Sequence, residues 1–168
     1  IVQLLKDLGI DKSTLIVFTT DNGTHRAGGH RPDYFDTFGP YDGFKRDMWE
    51  GGVRMPTFLR WPSVIASGSK SDVPSQFHDW MATFCDLAGV QAPALSDGVS
   101  IVPTLAGVGK QAQSTVYSEF VHGGKTANYK EFEPSRRGRK CGQMQSILIG
   151  DYKGVRVNLE NHQSVFEV

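Results

Sequence analysis

The chain has 168 residues, enough for one domain with a sizeable core, and its 18 Lys plus Arg balance 18 Asp plus Glu for a net charge of zero. That balance leaves no whole-protein field to draw it to nucleic acid or to an anionic membrane. Apolar residues at 39% and aromatics at 11% are those of a folded globular chain, and no stretch approaches the roughly 18 uninterrupted apolar residues of a membrane span.

The first residues, Ile1 to Gly9, contain no initiating Met and no signal peptide. Val2, Leu4, Leu5 and Leu8 fit one helical face, and Gly9 fits a C-cap. The pattern opens midway, so the chain is expected to begin inside a larger protein. Leu15 to Phe18 are apolar without alternation, as in a strand buried on both faces. Asp21-Asn22-Gly23 then fall just past its C-terminal end, where open α/β sheets place their ligands. Residues 24–44 carry four Gly, two Pro and two His but no period, and a loop of this length is commonly functional or mobile.

Residues 54–61 read as a second strand closed by Pro62, and residues 68–75 as a polar, Ser-rich surface linker. Residues 75–89 form the strongest helical pattern. Phe77, Met81, Phe84, Cys85 and Ala88 make its apolar stripe, widened by Trp80, and this face is expected to pack on the sheet. Residues 92–109 read as a loop with one helical turn near 102–105. From Thr115 the pattern turns to strands at 116–121 and 145–149, a turn at Gly150-Asp151, and alternation of Val155, Val157 and Leu159. Cys85 and Cys141 have neither a metal spacing nor a disulfide framework, and Cys85 reads as a core residue.

Two constellations carry chemistry. Asp21 and Asn22 offer hard oxygens to a divalent cation such as Ca2+, with Gly23 turning the backbone beneath; Asp-Asn-Gly is equally an ordinary turn. Downstream, residues 43–56 hold Lys45, a point charge suited to an oxyanion. The paired Gly51-Gly52 let the backbone pass close to another group, and Pro56 opens the next strand. A lone Lys here would be an exposed turn residue, but a cation site and a lysine joined by one long loop suit an anionic ester substrate. His25 and His30, beside Arg26 and Arg31, could bind an anionic sugar or donate protons, or could be solvated loop residues. His78 lies next to the helical stripe and reads as structural. The basic run at 136–140 could touch a sulfated polymer or form a solvated face.

Thr19-Thr20-Asp21-Asn22-Gly23, Gly43-x-Lys45, Glu50-Gly51-Gly52-Val53-Arg54-x-Pro56, Asp86-Leu87-Ala88-Gly89-Val90 and Asp97-Gly98-Val99-Ser100, in that order, resemble the C-terminal half of a sulfatase of the arylsulfatase type, within the alkaline-phosphatase-like superfamily. Gly150-Asp151-Tyr152-Lys153 resembles the hairpin of that family's C-terminal subdomain. The resemblance implies that Asp21 and Asn22 are two ligands of an active-site Ca2+ and that Lys45 holds the sulfate group. Glu50, Gly51, Gly52 and Arg54 are then scaffold, and His25, Arg26 and His30 are candidate substrate contacts. The family acts through a formylglycine made from a Cys/Ser-x-Pro/Ala-x-Arg motif, and neither Cys85 nor Cys141 lies in one. That nucleophile, the paired aspartates of the metal shell, and the histidines and second lysine that assist cleavage are therefore expected in a missing N-terminal half. The 168 residues alone are expected to be inactive.

The implied fold is α/β: residues 1–112 form the C-terminal portion of the catalytic α/β sandwich, and residues 113–168 a truncated antiparallel β subdomain. The implied enzyme cleaves sulfate esters, with a sulfated glycan preferred over another sulfated small molecule because the His/Arg/Tyr loop offers polar and stacking groups. A periplasmic, extracellular or lysosomal location follows from the same resemblance, with no nucleic-acid or membrane partner. Two alternatives stand beside it. One is a phosphatase or phosphonate ester hydrolase of the same superfamily; the other is a non-catalytic binding domain.

Overall fold

The computed structural model describes residues 1–160 and 164–168. In chain order it contains α1 (Val2–Asp7), β1 (Ile16–Thr19), α2 (Pro32–Phe35), α3 (Glu50–Val53), β2 (Thr57–Arg60), α4 (Phe77–Leu87), α5 (Val102–Ala106), β3 (Val116–Lys125), β4 (Lys140–Ile149) and β5 (Tyr152–Arg156). Single 3-10 turns lie at Asp11–Ser13, Ala27–Gly29 and Pro134–Arg136. Strands β1 and β2 pair with each other, and a second sheet has the order β3-β4-β5. The chain forms two compact units, one from residues 1–18 and 57–116, the other from residues 19–56 and 117–168.

In the first unit, α1 ends as its sequence requires. Gly9 adopts φ +71°, and the N–H groups of Gly9 and Ile10 close on the carbonyls of Lys6 and Leu5 at 3.0 Å each. Arg60 on β2 grips Asp11 with two bonds of 2.6 and 3.0 Å, which holds the Asp11 carboxyl below the usual range. The expectation that β1 is buried on both faces fails. Its residues are half-buried or exposed, and Phe18 (68% exposed) meets Phe58 of β2 (65% exposed) with ring centroids 6.3 Å apart. The cause is that this sheet has two strands, and no element of its unit covers the Phe18–Phe58 face among the described residues.

Helix α4 also turns differently from its expected stripe. Phe77, Met81 and Phe84 are each more than half exposed, whereas Asp79, Ala82 and Thr83 are buried. A capping box explains this. Gln76 is the N-cap, and Asp79 accepts its backbone N–H at 2.8 Å. The same carboxylate accepts the Val99 N–H at 2.9 Å and the Ser114 hydroxyl at 2.7 Å. Thr83 donates to the Asp79 carbonyl and accepts the Ile101 N–H at 3.0 Å. The polar face therefore binds the 98–101 segment, and the apolar stripe faces away. Gly98 fits there because a Cβ would lie 2.2 Å from the His78 carbonyl oxygen. Ile101 and Leu105 bury beside it, and α5 realises the expected turn. Cys85 is only half-buried and free, so it is not the core residue its spacing suggests.

In the second unit, β4 and β5 pair antiparallel from Gln145↔Arg156 to Ile149↔Tyr152 across the tight turn at Gly150, which sits at φ +59°. Their inner face carries the core: Met144 and Val155 are fully buried with Cys141, Val157, Met48 and Trp49. Burial pushes the Cys141 thiol up, with the nearby Asp47 charge adding to the effect. A second cluster joins Phe38 and Phe44 to Tyr129 and Phe132, with ring centroids 4.4 to 5.4 Å apart. The long loop thus has buried anchors despite its lack of period, together with the short helix α2. The basic run is not a solvated face. Arg136 bonds Asp42 at 2.7 Å and lies over Trp49, Arg137 caps the Phe132 and Lys130 carbonyls, and Arg139 pairs with Glu167 at 2.5 Å.

Candidate active site

The site in the second unit starts where β1 stops. Thr20 turns its hydroxyl toward the Asp21 carboxylate at 3.4 Å and the Asn22 carbonyl at 3.3 Å. Asn22 donates its amide N–H to the Gly23 carbonyl at 2.9 Å, which leaves its side-chain oxygen open. Asp21 is exposed and Asn22 half-buried. Both offer oxygen, the donor a hard cation takes. Two side chains fit part of a shell of about six to eight oxygens, and among the described residues no three His, Cys, Asp or Glu side chains gather as a metal cluster.

Glycines fix what comes next. Gly23 donates its N–H to the Gly52 carbonyl at 2.9 Å, and a Cβ on Gly23 would fall 1.9 Å from the Gly51 oxygen. Gly51 in turn donates to Asp42 at 2.7 Å, with its own Cβ position 2.3 Å from the Gly43 oxygen; that of Gly52 is 2.3 Å from the Asp47 oxygen. Helix α3 is therefore a backbone clamp between the Asp-Asn-Gly turn and the segment before Lys45. Its Glu50 pairs with Arg54 at 3.3 Å and with Lys153 of β5, whose ammonium is held below the usual lysine range by burial against the pull of Glu50. These residues are scaffold, as their motif implies.

Lys45 stands on a tight turn. The Asp47 N–H closes on the Phe44 carbonyl at 2.8 Å, and the buried Asp47 carboxylate accepts the Phe44 N–H at 3.1 Å. Arg46, third in the turn, has φ +81°, the left-handed value that a type II turn needs. A residue with a Cβ adopts it at a cost of about 1–2 kcal/mol. Lys45 itself donates its backbone N–H to the Thr24 carbonyl at 2.8 Å, one residue past Gly23. The lysine is thereby tied to the segment that carries Asp21 and Asn22.

A cavity of about 510 Å³ opens there, and His25, Arg26 and Lys45 line it. His25 accepts the Ala27 N–H on Nδ1 at 3.1 Å, so the neutral ring carries its proton on Nε2. Arg26 lies over the Tyr129 ring, 4.1 Å from its centroid. His30 does not line the cavity. It stacks on Phe35 at 5.7 Å and reaches the Thr37 hydroxyl at 3.4 Å. Asp21 and Asn22 lie on the adjoining turn, outside the lining. Among the cavity residues that no motif marks are the cationic types Arg46, His122 and Lys125. The available signal was His122-Gly-Gly-Lys125, two cationic types around paired glycines at the end of β3.

No helix of the described residues is long and apolar enough to cross a membrane. Residues 1–90 match the sulfatase family model. The chain is 39% identical over 111 residues to steryl-sulfatase from Homo sapiens, which covers 64% of this chain and 19% of that protein. It is 36% identical over 107 residues to N-acetylgalactosamine-6-sulfatase from Mus musculus, covering 62% and 20%. The chain thus spans about a fifth of the length of these curated relatives. Among solved structures, a protein in complex with its substrate D-glucosamine-2-N,6-O-disulfate aligns at TM-score 0.64 and 25% identity, over 95% of this chain and 28% of that one. A phosphonate monoester hydrolase from Silicibacter pomeroyi aligns at TM-score 0.63 and 23% identity, over 93% and 29%, a likeness of fold. The architecture is that of the C-terminal α/β part of a sulfatase, and the chain belongs to the sulfatase family.

Proposed function

We propose that the protein of which this chain forms part hydrolyses sulfate esters, preferentially on a carbohydrate. The observation that carries the reading is the bond from the Lys45 N–H to the Thr24 carbonyl, 2.8 Å long, which ties the backbone of a cavity-lining lysine to the residue just beyond the Asp21-Asn22-Gly23 turn. Asp21 and Asn22 would hold Ca2+ together with ligands outside this chain, and the bound cation would supply positive charge against a sulfuryl oxygen. A formylglycine outside this chain would supply the nucleophile.

Within this chain, Lys45 binds the sulfate group and offsets the negative charge that grows on its oxygens as the ester bond breaks. The turn at 44–47 and the clamp of α3 hold the backbone from which that ammonium reaches the cavity. His25 presents an Nε2–H to hydroxyl or sulfate oxygens, and Arg26, steadied on Tyr129, offers a planar fork for a second oxygen pair. His30 supports the loop through Phe35 and Thr37. Residues 1–112 would complete a catalytic α/β domain and 113–168 its antiparallel subdomain, in a periplasmic, extracellular or lysosomal enzyme. The carbohydrate preference draws on this polar cavity and on relatives named for amino-sugar sulfates.

The test is sulfate release from 4-nitrophenyl sulfate and from sulfated amino sugars by the full-length protein, with and without chelation of Ca2+ and with Lys45→Ala. Turnover lost in both treatments supports the reading. A second reading, hydrolysis of phosphonate or phosphate monoesters, draws on the fold likeness to a phosphonate monoester hydrolase. Faster release from 4-nitrophenyl phenylphosphonate than from the sulfate would favour it.

A further inference from the structure

The charges around the cavity do not cancel locally. Its acidic residues are already engaged: Asp33 pairs with Arg31 at 3.0 Å, Glu131 lies 3.7 Å from Lys130, and Asp47 is buried in its turn. Burial raises the Asp47 carboxyl above the usual carboxylate range, against the pull of the Phe44 and Ala127 N–H groups and of the nearby His122. Lys45, Arg46 and Lys125 line the same cavity, and none has an acidic partner among the described residues. His122, stacked on Phe120 at 5.9 Å, is presented from β3 beside Lys125. Arg46 and Lys125 thus bring cations without acidic partners among the described residues to the cavity beside Lys45, and Arg46 holds a left-handed φ that glycine would adopt without strain.

Resting on the sulfate-ester reading above, we infer that Arg46, His122 and Lys125 form a second anion subsite, so that the preferred substrate carries another sulfate or carboxylate besides the sulfate held at Lys45. A cavity of about 510 Å³ has room for a sugar with two such groups. Arg46 supplies a fork that matches either oxyanion, Lys125 a mobile point charge, and His122 a ring N–H. A mono-anionic ester would leave these donors facing water, while a di-anionic one would engage them together with Lys45.

The experiment uses the full-length protein and inhibition of its 4-nitrophenyl sulfate turnover by three probes: N-acetylglucosamine 6-O-sulfate, glucosamine-2-N,6-O-disulfate, and 6-O-sulfated N-acetylglucosamine joined to glucuronate. The parent should bind at least one di-anionic probe about tenfold or more tightly than the mono-anionic one, and the disulfate and uronate arms tell a second sulfate from a carboxylate. Lys125→Gln and Arg46→Gln should each reduce that preference to threefold or less, while Lys125→Arg keeps most of it. Lys45→Ala should weaken all three probes together. Equal affinity for mono- and di-anionic probes in the parent, or a preference untouched by both Gln variants, would overturn the subsite. If the protein turns over no sulfate ester, the hydrolase reading fails on its own, and calorimetric titration of the same probes still decides the subsite by the same ratios.

Discussion

Replacing Gly23 with Ala tests the backbone clamp that positions Lys45. The added methyl would sit 1.9 Å from the Gly51 oxygen, 2.8 Å from its carbonyl carbon and 2.9 Å from that of Gly52. All three are main-chain atoms, so no side chain can swing away. Carbon and oxygen need a little over 3 Å, so α3 must retreat by more than 1 Å. That movement breaks the 2.9 Å bond from Gly23 to Gly52 and strips a buried N–H of its acceptor. Overpacking costs typically about 1–3 kcal/mol and a buried unmade hydrogen bond about another 1–3, so the sum is about 2–6 kcal/mol. Gly123→Ala is the control, because its Cβ would meet nothing within 4 Å. Thermal melting of the full-length protein should show a loss of several degrees or failure to accumulate for Gly23→Ala, and almost no change for Gly123→Ala. Aryl sulfate turnover should fall with the first variant even in the folded fraction, since Lys45 hangs from the same clamp. A Gly23→Ala protein that melts within a degree or two of the parent and retains its turnover would refute the reasoning.

Lys45→Ala should lower turnover by roughly a hundredfold or more with little change in melting, because the side chain lines a cavity rather than the core; steady-state kinetics and a melt on the same sample separate the two. Replacing His25, Arg26 and His30 together with alanine should cost more activity on a sulfated glycan than on 4-nitrophenyl sulfate, and equal losses would place them in the chemical step. Asp47→Asn tests the raised carboxyl beneath Lys45. Because burial holds the folded-state value above the ordinary 3.8, this group's contribution is fullest below pH 3.8 and is lost as pH rises through the folded value. The Asn variant should lack that decline and gain denaturation midpoint at neutral pH relative to the parent, and a parallel pH profile would show that Asp47 is not the source.

What local pattern can encode was legible in the chain. The helix ending at Gly9, the turn at 102–106 and the β4–β5 hairpin about Gly150 all follow from residues within a few positions of one another. The inward face of α4 was not legible, because an apolar stripe normally marks it. Here Asp79 and Thr83 are buried by partners at Val99, Ile101 and Ser114, 18 to 35 positions away, and a buried carboxylate with three donors outweighs the pull of the stripe. The burial of Phe38 and Phe44 was hidden in the same way, since Tyr129 and Phe132 come from the far end of the chain. The basic run looked solvated because Asp42, which binds Arg136, lies 94 positions earlier.

The candidate site divides along the same line. Lys45, Gly51 and Gly52 could be picked out because each sits in a short spaced pattern, and the structure gives that pattern a cause: four glycines at 23, 43, 51 and 52 let three main-chain segments cross at hydrogen-bonding distance. Any side chain there would push Lys45 off its turn, so the spacing records backbone geometry more than ligand contact. Arg46, by contrast, carries no pattern of its own, and its left-handed φ comes from the turn that Asp47 closes. His122 and Lys125 reach the cavity only because β3 leads back toward a loop almost a hundred residues upstream. A motif can thus specify the rigid frame around one lysine, the group proposed to hold the sulfate. On the proposed function, the groups that would choose among sulfated substrates come partly from positions the fold gathers afterwards: His122 and Lys125 lie outside that frame, whereas Arg46 stands in the Lys45 turn itself.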